Sequence, residues 1–66
     1  MVSYGGHFRG VTAPLRLEPS RSQGPPNSGT HLVGEFYIDN QGVLYFCVAS
    51  GTPGTWKKVQ LATDAD

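Results

Sequence analysis

The sequence predicts an all-β fold: a three-stranded antiparallel meander with an extended N-terminal arm, assembled with other copies of itself into an intersubunit β bundle. Three observations lead there. Alternating, β-branched and aromatic residues fill positions 35–61. Glycine-bearing turns interrupt that stretch at 40–42 and 50–54. Nowhere in the 66 residues does a useful length of helical periodicity occur.

Residues 1–13 mix glycines with aromatics, as in Tyr4-Gly5-Gly6-His7-Phe8, and read as an irregular arm or a junction. Leu15 and Leu17 then alternate with Arg16 and Glu18. Pro14 and Pro19 bound that pair, so the segment is expected as an edge strand or an extended arm. Residues 20–30 carry Gly24, Pro25, Pro26, Asn27 and Gly29, the composition of a loop. The short distance between patterned segments favours an ordered loop over a free linker.

The fold-bearing stretch follows. Residues 35–39 alternate with Phe36 and Ile38 on one face. Asn40-Gln41-Gly42 is a short turn in which Gly42 supplies a positive φ. Residues 43–49 form the second strand. Ser50-Gly51-Thr52-Pro53-Gly54 is a second turn, with Pro53 and Gly54 placed as in a type II turn. Residues 55–61 give the third strand through Trp56, Val59 and Leu61. The chain thus divides into an arm at 1–13, a β module at 14–61 and a tail at 62–66.

A domain this short buries a modest share of its surface and needs a further source of stability. An internal disulfide is excluded, because Cys47 is the one cysteine. His7, His31, Cys47 and the scattered carboxylates have no zinc-type spacing, so neither a metal nor another cofactor is expected. Self-association remains. The middle strand supports it: Leu44, Phe46 and Val48 make one face, Val43, Tyr45, Cys47 and Ala49 the other, and both are largely apolar. Strands with one wet face alternate, whereas strands covered on both sides run apolar throughout. The arm with Leu15 and Leu17 is expected to cover part of one face and a second copy the other. A monomeric barrel closed by its loops is the alternative.

Five basic and five acidic residues give a formal net charge of +0, which offers nothing to nucleic acid or to an anionic membrane surface. The longest nearly continuous apolar stretch, 43–49, is too short to span a bilayer, and the N-terminus lacks the pattern of a secretion signal. These features leave the localisation open.

Candidate chemistry is sparse, and no enzyme is expected. Cys47 sits mid-strand in an apolar run without a helix N-terminus to lower its pKa, so a buried small hydrophobe is expected rather than a nucleophile. His31, just before the first strand, is expected to bond the backbone or sit near a symmetry axis rather than move protons. Asp39-Asn40-Gln41-Gly42 lacks the distal ligands of a calcium loop and reads as an Asx-stabilised turn. Tyr37, Tyr45 and Trp56 could make a glycan-stacking platform, but aromatics of this kind concentrate in cores and interfaces.

The run from Gly34 through Cys47 and on through Gly51-Thr52-Pro53-Gly54-Thr55-Trp56, with the lead-ins Ala13-Pro14-Leu15-Arg16-Leu17 and Gly29-Thr30-His31, resembles a β-hairpin module of phage tail-fibre, virion-appendage and bacterial surface proteins. In architecture it is also similar to the trimerisation domain that ends phage fibritin. The resemblance spans about residues 13 to 60. It implies a trimerisation module, a three-fold bundle of hairpins with Phe36, Ile38, Leu44, Phe46, Val48 and Trp56 in the oligomer core. It further implies a place on a virion or cell surface, although no fibrous shaft accompanies this chain. The residues alone imply association without a copy number, and dimers are commonest in general. A glycan- or surface-binding module is the second functional reading.

Overall fold

Turn chemistry sets the strand boundaries. The computed structural model describes residues 3–62. It contains β1 (Phe36–Ile38), β2 (Leu44–Ala49) and β3 (Thr55–Lys58), in sheet order β1-β2-β3 with both neighbouring pairs antiparallel. Among the described residues there is no helix. Each strand lies within its expected segment, but β3 stops at Lys58 rather than reaching Leu61. Of the expected tail at 62–66, residues 63–66 lie outside the described residues, as do Met1 and Val2 of the arm.

The first turn is built on Asp39. Its Oδ1 accepts the amides of Gln41 (2.8 Å) and Val43 (2.9 Å), which is the expected Asx arrangement. Gly42, with φ +81, donates its amide to the Asp39 carbonyl at 3.1 Å. In the second turn the Thr52–Pro53 peptide is cis and Gly54 has φ +88. A Cβ on Gly54 would stand 2.9 Å from the Ala49 carbonyl oxygen, so glycine is required there on two counts.

Register settles which side chains share a face. Across β1 and β2, Phe36 faces Phe46, Tyr37 faces Tyr45 and Ile38 faces Leu44. Across β2 and β3, Phe46 faces Lys57 and Cys47 faces Trp56, but Ala49 faces Thr55. Val48 is therefore the extra residue of a β-bulge, which locally increases the twist of β2. Before β1 the chain keeps to the same side of β2: His31 and Gly51 exchange both backbone hydrogen bonds, at 2.8 and 3.0 Å.

Of the two alternatives for the arm, the edge strand is not formed: residues 14–19 make no strand, and Leu15 and Leu17 are 59% and 40% exposed. Two bulky residues between prolines offer too little apolar area to hold a strap down against its chain entropy. The chain is first fixed at Ser20, whose amide donates to the Ile38 carbonyl (2.9 Å), and at Ser22, whose carbonyl accepts the Asn40 amide (3.0 Å). The 20–30 loop is ordered against the first turn, as Gly24 donates its amide to Asp39 Oδ2 at 2.8 Å.

These contacts enclose very little. Among the described residues only Cys47 and Asp39 are buried. The radius of gyration is 14.1 Å, against about 11 Å for a compact domain of this length. The accessible surface is 5631 Å², where a compact monomer of the same mass exposes roughly 4,100 Å².

Candidate functional site

The two faces of the sheet differ, and that difference defines the site. One face is covered by the chain itself. Trp56 packs against His31 (ring centroids 5.2 Å apart, interplanar angle 80°) and Tyr37 (5.9 Å, 62°). Its indole Nε1 donates to the Pro53 carbonyl at 2.8 Å. Beneath this cover the Cys47 thiol donates to the Ala49 carbonyl at 3.3 Å. Part of the Cys47 face is thus covered by Trp56, the 51–54 turn and His31 rather than by the arm.

The opposite face is apolar and partly exposed, with Ile38, Leu44 and Phe46 half-buried. Phe36 and Phe46 lie side by side, ring centroids 5.1 Å apart, with Ile38 and Leu44 paired next to them. Phe36 is 56% exposed. Val48, at the bulge, is also exposed. Lys57, in register with Phe46, is the cation on this face. Of the six residues expected in an oligomer core, the structure gathers Phe36, Ile38, Leu44 and Phe46 on one surface and leaves Val48 at its end. Trp56 is placed on the other face, across from Cys47. The signal that separates it is the bulge at Val48, which no alternation pattern encodes.

The remaining groups are engaged within the fold. His31 Nδ1 lies 2.8 Å from Glu35 Oε1, and Nε2 lies 3.0 Å from the Ser28 carbonyl. Both partners are acceptors, so the ring satisfies both contacts as the imidazolium. The Glu35 carboxylate first, and the Ser28 carbonyl with it, raise the His31 pKa against the opposing effect of burial. The His31 hydrogen bond, then the Leu32 amide, lower that of Glu35. The expected backbone bond of His31 is present, while its pairing with Glu35 was not foreseen. Asp39 is held below the usual carboxylate range by the Gly24 amide above all, then by those of Val43 and Gln41, while burial opposes them.

Cys47 and His31 do not pair, because the thiol and both His31 ring nitrogens bond elsewhere. Among the same residues no group of three or more His, Cys, Asp or Glu could hold a metal ion. No helix among them is long and apolar enough to cross a membrane. Tyr37 and Trp56 meet edge to face, and the indole N–H is used internally, so these two do not present a flat stacking surface. A shallow groove of about 210 Å³ runs between Gly42–Leu44 and Lys58–Leu61. That is smaller than the roughly 300–1,000 Å³ of small-molecule sites. The open Phe36–Phe46 face is therefore the candidate functional surface.

No family model, no curated protein and no solved structure matches this chain.

Proposed function

We propose that this chain is a structural self-association module, a trimerisation unit whose copies pack through the Phe36, Ile38, Leu44 and Phe46 face. The carrying observation is the mismatch between that face and the chain's own core. Four apolar side chains share one face, Phe36 exposed and Ile38, Leu44 and Phe46 half-buried, while only two residues of the described chain are buried. The accessible surface of 5631 Å² exceeds that of a compact monomer by about 1,500 Å². Much of that excess lies in residues 3–19, all of them exposed. A net charge of +0 sets up no bulk repulsion between copies. The choice of three copies rests on the likeness to fibre and fibritin hairpin modules, as does a setting in a phage-derived fibre or surface protein. On this reading the module carries out no catalysis.

Phe46→Asp is the direct test. The substitution sets a carboxylate against the Phe36 ring and into the centre of the associating face, where no cation except Lys57 is in register. Sedimentation and circular dichroism should show assembly and folded structure lost together, with association weakened on the order of a hundredfold or more. A well-folded Phe46→Asp monomer would contradict the oligomeric core.

A further inference from the structure

The loop before the sheet is tied down at two ends and held weakly between them. At one end the Gly24 amide bonds Asp39 Oδ2. At the other, His31 and Gly51 exchange both backbone hydrogen bonds. Among the described residues, the intervening segment 25–30 makes two hydrogen bonds to the rest of the chain. Thr30 Oγ1 lies 3.2 Å from Thr52 Oγ1, an exposed hydroxyl pair. The Ser28 carbonyl lies 3.0 Å from His31 Nε2. Gly29, between those two contacts, has φ +82.

The imidazole therefore stands between two acceptors, Ser28 on Nε2 and Glu35 on Nδ1 at 2.8 Å. The imidazolium has an N–H for each, whereas the neutral ring has one N–H and one lone pair. Glu35 is the stronger claimant. It is anionic and nearer, and its other oxygen is fixed by the Leu32 amide at 3.0 Å. A neutral ring that keeps its Nδ1 proton on Glu35 turns a lone pair toward the Ser28 oxygen, and two acceptors then face each other without a proton.

We propose that His31 is a protonation-controlled clasp: the imidazolium fastens the 25–30 loop through the Ser28 carbonyl, and loss of its proton frees that loop while the Glu35 contact stays. The device does not depend on association between copies. The surrounding elements supply few competing charges. Segments 25–30 and 50–54 carry no titratable side chain. Tyr37, Tyr45 and Cys47 lie on the same sheet face, with Lys58 in register with Tyr45. Glu35 is the charge that acts on His31, whereas Lys58 acts on Asp39. Because Glu35 above all raises the His31 pKa, the clasp is closed at the ordinary histidine value and opens as pH rises through the higher folded one.

Nuclear magnetic resonance of the full chain tests the clasp from about pH 5.5 to about pH 9, across the histidine range. Backbone order parameters of Asn27, Ser28 and Gly29 should fall from about 0.85 to below about 0.6, while those of Leu32–Glu35 hold. The fall should share its midpoint with the His31 ring nitrogens, whose shifts at high pH should place the remaining proton on Nδ1. It should persist in His7→Gln and vanish in His31→Gln. A neutral ring protonated on Nε2 in the wild type would show that Glu35 is released instead of Ser28, and would overturn the proposal. So would order parameters at 27–29 that stay constant with pH, or a fall that survives in His31→Gln. The first two readings use the wild-type protein, so they decide the matter even if His31→Gln does not fold.

Discussion

The Asp39 carboxylate and the Gly24 amide meet at 2.8 Å across fifteen residues of sequence, tying the β1–β2 turn to the loop before the sheet. Asp39 is only 1% exposed, and its two oxygens accept three backbone amides, those of Gly24, Gln41 and Val43. One carboxylate thus organises a turn and anchors a loop, which a chain with so small a core has few other means of doing.

Asp39→Asn keeps the shape of the side chain but replaces one acceptor oxygen with a donor, so at least one amide faces an N–H. The melting temperature at neutral pH and fixed protein concentration should fall by several degrees, and the Gly24 amide should lose its protection from hydrogen exchange. The sign with pH follows from the lowered Asp39 pKa. The stabilisation is present above the unfolded carboxylate's range and is lost as pH falls through the folded value, so the variant should lose less than the wild type on acidification. Equal melting temperatures for the two proteins at neutral pH would refute the anchoring role.

His31 and Glu35 give the opposite dependence on the alkaline side. The raised His31 pKa makes its contribution full below about pH 6.5 and lost as pH rises through the folded value. Glu35, lowered, contributes above its unfolded range and loses that as pH falls. The pair therefore stabilises the fold most between the two ranges. Melting temperature should decline between pH 6 and pH 8 in the wild type, and His31→Gln should flatten that decline. A decline of the same size in His31→Gln would assign it elsewhere.

Cys47 should behave as a packed apolar side chain. It is 0% exposed, and its thiol donates to the Ala49 carbonyl. A thiol-specific chromogenic reagent should react negligibly in native buffer and stoichiometrically in denaturant. Rapid native-state labelling would reopen a nucleophilic role for this residue.

Local features of the sequence were legible where local physics decides them. Alternation placed β1 and β-branched and aromatic content placed β2, because both are properties of the strand itself. Gly42 and Gly54 marked the turns, and both take the positive φ assigned to such residues. Asp39 was legible as part of an Asx-stabilised turn, but its bond to Gly24 depends on the path of a distant loop. Trp56 was placed with the wrong set of side chains because the extra residue Val48 changes the β2–β3 register, and a bulge leaves no compositional trace. The arm's leucines carried an alternating pattern without the area to hold a strand on this sheet. His31 and Glu35, four residues apart outside any helix, meet only because the chain curls back before β1.

The most direct test of the central claim is the native mass in solution, by light scattering after size exclusion across a dilution series. Each chain has a mass of 7.1 kDa. A stable mass of three chains that dissociates only on strong dilution, with unfolding coupled to dissociation, is the expected result. A mass of one chain at every concentration, with cooperative unfolding, would contradict it and would make the Phe36–Phe46 face a surface for some other molecule.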